Sequence, residues 1–197
     1  MPKLWDETIE AHRRSVQEAT LEKTAQLVAE VGLRGVTMSG IAEATGIGRA
    51  TLYKYFPDVE SILAAWHQGQ ISLHLGRLTE VRDRTQDPED RLEAVLTAFA
   101  DIQRERVGRH DGGPHRSELA VLLHNDDQVA QAQRELHGMI RELVTDAAAS
   151  GNVRDDISPD ELTAYCIHAL EAAGRVSSKD SVSRLVSLTM AGMRPVE

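Results

Sequence analysis

The stretch Thr37–Pro57, TMSGIAEATGIGRATLYKYFP, decides the fold. It reads as two short helices across a tight turn. Thr37 is placed to cap the first, because its hydroxyl oxygen accepts an orphan backbone N–H of the opening turn. Ile41 and Ala42 follow on one face, and Ala44 keeps the helix narrow. Gly46 ends it, since glycine enters the left-handed conformation at little steric cost. Ile47 plugs the turn, a second helix is expected over Arg49–Phe56, and Pro57 closes it. Two helices joined by a short glycine-containing turn are the pattern of a DNA-reading helix-turn-helix.

Residue types assign roles along the second helix. Leu52 and Phe56 lie one turn apart and belong to an inner face. Arg49 and Thr51 are expected to face outward and reach base edges, a bidentate arginine on guanine being the commonest specific contact. Lys54 and Tyr55 suit phosphate oxygens, which position a protein without reading sequence. Thr37 has a second role as a phosphate contact, because helix N-termini attract anions.

Ala42, Gly46, Thr51-Leu52-Tyr53, Tyr55-Phe56 and Glu60 together resemble the pattern of the tetracycline-repressor (TetR-type) family: Ile-Ala, a turn glycine, Thr-Leu-Tyr, an aromatic-Phe pair and an acid. Leu21–Gly32 resembles that family's first helix. The resemblance covers about a quarter of the chain, and the overall length and helical remainder agree with it. It implies a homodimeric, ligand-responsive transcriptional regulator, most often a repressor. It also implies that Tyr53 touches the DNA backbone, although the residue itself reads equally well as half-buried packing. The candidate DNA-binding set is therefore Thr37, Arg49, Thr51, Tyr53, Lys54 and Tyr55. Two positions depart from the family pattern. Gly48 stands where a capping Ser is usual, and Val59 where a phosphate-binding Lys is usual.

Charge is divided unevenly. Residues 1–55 hold seven Lys/Arg and seven Asp/Glu, so the remaining residues carry the whole net charge of −9. An acidic remainder repels phosphates and orients the neutral end toward DNA; it also simply keeps a protein in solution. Arg13 and Arg14 precede the matching part and read either as phosphate contacts or as a solvated helix face. One cysteine among 197 residues leaves no internal disulfide framework. No apolar run approaches a bilayer span and no signal-peptide pattern opens the chain, so a cytoplasmic protein without a membrane segment is expected.

The expected fold is all-α, with a helix-turn-helix domain over residues 1–57 and a helical effector-binding and dimerisation domain over 58–197. Residues 1–5 read as a loose arm and Asp6–Val31 as the first helix. Asp58 caps a helix running to about Arg84, Asp87-Pro88 starts another that reaches Arg106, and helices follow over about 116–124 and 127–150. Ser158-Pro159-Asp160-Glu161 is a capping-box start, Gly174 closes that helix, and Lys179–Met193 is the last. The apolar stripes of these last two helices, Leu162, Tyr165, Ala169, Leu170 and Ala173, then Val182, Leu185, Val186, Thr189 and Met190, are the candidate dimer interface. The resemblance places such an interface on the last two helices, and the same stripes would equally serve the chain's own core.

The candidate effector pocket is lined by Trp66, Phe99, Ile102, His115, Leu122, Met139 and Leu143. His110, Asp111, His115, Glu118 and His124 gather ligand-type side chains, but without the spacing of a recognised metal site. A metal-assisted hydrolase using that cluster is the alternative from a different class. A ligand-binding module that has lost DNA is the other. The chain carries no nucleophile elbow, phosphate loop or dinucleotide fingerprint, so a non-enzymatic regulator without cofactor is expected. Its partners would be an operator duplex, a second copy of itself and a small effector.

Overall fold

A computed structural model of the chain describes residues 3–108 and 127–195. Every regular element among them is helical: α1 (Lys3–Val31), α2 (Met38–Thr45), α3 (Arg49–Tyr55), α4 (Val59–Arg84), α5 (Pro88–Gly108), α6 (Asp127–Ala149), α7 (Pro159–Glu171) and α8 (Lys179–Gly192). Single 3₁₀ turns occupy Leu33–Gly35 and Ala172–Arg175. The first helix opens at Lys3, before the expected Asp6, and α7 gives way to its 3₁₀ turn before reaching Gly174. The expected helix over 116–124 lies outside the described residues.

Contacts divide the chain into two units, with the division between Gln70 and Ile71 inside α4. The sequence places a boundary at Pro57, the end of the motif. The first unit extends further because Ile62 and Leu63 of α4, both fully buried, belong to its core. That core also takes Val28 from α1, Met38 and Ile41 from α2, and Leu52 and Phe56 at the end of the motif. Thr20 and Thr24 are buried within α1, and each returns its hydroxyl to the carbonyl four residues back at 2.8 Å. A buried hydroxyl left without an acceptor would cost about 1–3 kcal/mol, so these bonds are what let threonine sit on the inner face.

In the second unit α5 is central, packing against α6, α7, α8 and the 3₁₀ turn. Leu92, Val95, Leu96 and Phe99 give α5 its buried stripe, and Ile140, Val144, Leu162 and Val186 meet it in one cluster. The starts of these helices are set by local chemistry. Asp58 accepts the Ser61 N–H at 2.7 Å, and Asp87 accepts those of Glu89 and Asp90 at 2.9 and 3.1 Å. Arg91 closes the α4–α5 connection by donating to the carbonyls of Thr85 and Gln86 at 2.7 and 2.6 Å. The Arg154 backbone N–H reaches the Met193 carbonyl at 2.8 Å, tying the α6–α7 loop to the end of α8. Close by, the buried Cys166 thiol donates to the Met193 sulfur at 3.1 Å. Burial pushes that thiol's pKa up to about 12.

The capping box is complete at α7: the Ser158 hydroxyl accepts the Glu161 N–H, and the Glu161 carboxylate accepts the Ser158 backbone N–H. The hydroxyl of Ser158, then its backbone N–H, hold the Glu161 carboxyl below its ordinary pKa. A carboxyl depressed on folding stabilises above its unfolded pKa, and that contribution disappears as pH falls through the lower folded value. Ser158→Ala, which removes the cap, is expected to lower stability near neutral pH. Thermal unfolding followed between neutral pH and roughly pH 3, below the ordinary carboxylate value, should show that difference shrinking as the acid protonates.

Candidate nucleic-acid interface

The turn between α2 and α3 has the geometry its residues demand. Thr37 is extended, and its hydroxyl oxygen accepts the Gly40 N–H at 3.1 Å. Gly46 sits at φ 70°, the left-handed region, and its N–H closes on the Glu43 carbonyl at 3.3 Å. Gly48 opens α3 with φ −58° and no side-chain cap; its carbonyl accepts from Thr51 and Leu52 at 2.8 and 3.0 Å. At the other end Phe56 leaves the helix in extended conformation, with its N–H on the Leu52 carbonyl.

Burial orients α3. Leu52 is 0% exposed and Phe56 8%, while Arg49, Ala50, Thr51, Tyr53 and Lys54 are all exposed. With a turn of 3.6 residues, Ala50 and Lys54 stand one above the other opposite Leu52. They form the outer ridge, with Thr51 on one shoulder and Tyr53 on the other. Ala50 is absent from the sequence-based set because it offers no donor. Its signal was the spacing to Lys54, and a methyl group at that place meets a thymine methyl as readily as a donor meets an acceptor.

Both flanks carry an arginine on an aromatic ring. The Arg49 guanidinium lies 5.7 Å from the centre of the Tyr53 ring, a contact across one helical turn. That of Arg13, from α1, lies 5.5 Å from the centre of the Tyr55 ring. Tyr55 differs from the rest of the expected set in being half-buried and packed against the first unit's core. Exposed pairs of this kind contribute about 0.5–1 kcal/mol, so their effect is to hold side chains in place more than to hold the fold.

The expected effector residues divide between the units. Phe99, Ile102 and Leu143 are buried in the second unit's core, with Met139 packed against them. Trp66 belongs to the first unit. His115 and Leu122 lie outside the described residues, as do His110, Asp111, Glu118 and His124. Among the described residues no three metal-ligating side chains come together. An open groove of about 460 Å³ in the second unit is lined by Arg77, Val81, Glu93, Thr97, Ala98 and Asp101, none of them among the expected effector residues.

The expected dimer residues also divide. Leu162, Leu170, Ala173, Val182, Val186 and Thr189 are buried within the chain itself. Ala169, Leu185 and Met190 are partly exposed, and Tyr165 is 42% exposed. Leu188, which the stripe omitted, is 66% exposed on α8. The Tyr165 hydroxyl crosses from α7 to lie over Gly192, where a Cβ would meet it at 2.6 Å. No described helix is long and apolar enough to cross a membrane.

Comparison with known proteins agrees with this architecture. Residues 21–66 match the model of bacterial regulatory proteins of the tetR family, and residues 87–195 match that of the C-terminal domain of SbtR-like transcriptional regulators. The putative mycofactocin biosynthesis transcriptional regulator MftR of Mycobacterium tuberculosis is 29% identical over 153 residues, which span 75% of this chain and 72% of that protein. The transcriptional repressor KstR2 of the same species is 32% identical over 78 residues, 40% of this chain and 39% of its own length. Among solved structures, a TetR/AcrR-family transcriptional regulator from Thermobifida fusca has a TM-score of 0.72 at 20% identity, covering 90% of this chain and 98% of that one. AibR in complex with isovaleryl coenzyme A and operator DNA has a TM-score of 0.62 at 16% identity, covering 90% and 97%. At these identities the structural likenesses carry the fold alone.

The two turn glycines are predicted to differ under substitution. Gly46→Ser forces a side chain into the left-handed region and should cost about 1–2 kcal/mol. At Gly48 an added Cβ meets only the Thr51 hydroxyl at 3.7 Å. Gly48→Ser should therefore be neutral or stabilise by a few tenths of a kcal/mol, about the difference between Gly and Ser as caps. Thermal unfolding of the two variants side by side measures this contrast.

Proposed function

The chain belongs to the tetR family of bacterial transcriptional regulators, and from that premise we propose that it is a ligand-responsive repressor acting as a homodimer on a palindromic operator. The observation that carries the DNA half is the orientation of α3: Leu52 and Phe56 are consumed by the core, while Arg49, Ala50, Thr51, Tyr53 and Lys54 are left outward on one short helix. Arg49 and Thr51 are assigned to base edges, Lys54 and Tyr53 to phosphates, and Thr37 to a phosphate at the start of α2. A symmetric dimer reads two half-sites, which raises affinity and specificity together. Reading the chromosome places the protein in the bacterial cytoplasm.

The dimer is assigned to the side chains of α7 and α8 that the chain leaves uncovered: Tyr165, Leu188 and the partly exposed Ala169, Leu185 and Met190. Ligand response is supported at the level of fold, by the solved complex of AibR with both isovaleryl coenzyme A and operator DNA. The effector of this chain is assigned to the second unit, near Phe99, Ile102, Met139 and Leu143. To act, it must bind the DNA-competent and DNA-incompetent conformations unequally.

Selection of bound fragments from a random duplex library should enrich an inverted repeat, and binding to it should fall steeply with salt. The double variant Arg49→Ala/Lys54→Ala should lose that enrichment while keeping its thermal midpoint. Full operator binding by the double variant would refute the assignment of α3. Leu188→Asp should shift the chain from dimer to monomer in sedimentation velocity, and a dimer undisturbed by it would move the interface elsewhere.

A further inference from the structure

Beyond Lys54, the segment that leads from α3 into α4 is acidic in sequence. Phe56–Glu60 contains Asp58 and Glu60, both exposed, and no Lys or Arg. A duplex lying along the α3 ridge brings phosphates past this flank, where two carboxylates repel them and Val59 offers nothing. Besides Lys54, a cation reaches this end of α3 from elsewhere in the first unit: Arg13 of α1, whose guanidinium lies 5.5 Å from the centre of the Tyr55 ring.

The geometry suits a phosphate ligand for three reasons. Tyr55 is half-buried against the core, so the ring under Arg13 is a fixed shelf. A cation–π contact engages the charge of the guanidinium and consumes none of its five N–H donors as hydrogen bonds, so they are available for the bidentate grip that arginine makes on phosphate. Arg13 itself is exposed, and among the described residues no carboxylate is paired with it. The ring thus holds the guanidinium beside Tyr55 before DNA arrives, which reduces the ordering cost of binding. Arg13 also precedes residues 21–66, the part of the chain that matches the DNA-binding family model.

We propose that Arg13, held on Tyr55, is a phosphate-contacting residue that extends the DNA interface from α3 to the amino-terminal half of α1. This rests on the assignment of α3 as the operator-reading helix. A phosphate contact adds affinity without discrimination, and its signature is in the salt dependence.

The test uses the full chain, the selected operator duplex and an unrelated duplex of equal length, with dissociation constants measured over a range of salt. Arg13→Ala should reduce the slope of log affinity against log salt by about one per protomer, or about two for the dimer, and weaken both duplexes by the same factor. Its thermal midpoint should fall by no more than a few degrees, the share of one exposed cation–π contact. Arg13→Lys keeps the charge and loses the planar five-donor fork, so it should keep most of the slope with affinity between wild type and Arg13→Ala. An unchanged slope in Arg13→Ala would overturn the proposal, and a midpoint lowered by more than a few degrees with that slope would make Arg13 a clamp on the fold instead. If the wild type distinguishes the two duplexes and Arg13→Ala behaves identically, only the role of Arg13 fails. A wild type that binds both duplexes equally sinks the operator reading of α3, whereas one that binds neither overturns both.

Discussion

The burial of Leu52 is the contact on which the working surface depends. A helix of seven residues is far below the length that sustains itself in water, because nucleation fixes several residues before propagation compensates. α3 is therefore a helix only as part of the first unit. Leu52 is completely enclosed by side chains from α1, α2 and α4, and Phe56 nearly so. Burying one such side chain contributes about 1.5–3 kcal/mol, more than α3 gains from its own propensities. The same contact sets the rotation of the helix about its axis. Once Leu52 points inward, Ala50 and Lys54 must point outward, and the spread of donors between Arg49 and Lys54 follows from the 100° step between residues.

Electrostatics is added to that frame without carrying it. The first 55 residues are neutral in sum, and the remainder holds the whole net charge of −9. A duplex is thus repelled by most of the chain and meets least opposition at the end that bears the helix-turn-helix, an arrangement that favours productive encounters and weakens as salt screens it. Within the first unit, cations are placed by aromatic rings. Arg49 and Arg13 rest on Tyr53 and Tyr55, on opposite flanks of the same short helix. Two tyrosines that sequence reasoning treats as DNA contacts in their own right therefore also serve as supports for the arginines beside them.

What the sequence made legible was local. Caps at Thr37, Asp58, Asp87 and Ser158, the left-handed turn at Gly46 and the inward pair Leu52 and Phe56 each follow from residues within a turn or two of one another, and all stand where that chemistry places them. Less legible was anything that depends on which neighbour covers a face. The stripe on α7 and α8 was correctly apolar, but periodicity reports only that a face is apolar. Six of its ten members are enclosed by α5 and the chain's own helices, and the exposed Leu188 lies off the stripe. Trp66 and Phe99, both expected at the effector site, belong to different units, a division that periodicity within one helix does not report. The cation–π contact of Arg13 with Tyr55 joins residues 42 positions apart, and no pattern within a single helix announces it.

The sulfur pair at the base of α8 has a practical consequence. Cys166 is the chain's only thiol, fully buried, bonded to the Met193 sulfur and held protonated by its surroundings. A thiol reagent reacts with thiolate, so the native chain is chemically silent until the second unit opens. The first unit contains no cysteine and stays silent whatever it does. The rate of modification is then a clock for one unit alone, in the unmutated protein. It can be read with DNA, with a candidate effector or with neither, and it separates events in the helical body from events at the DNA-reading end without a label on either.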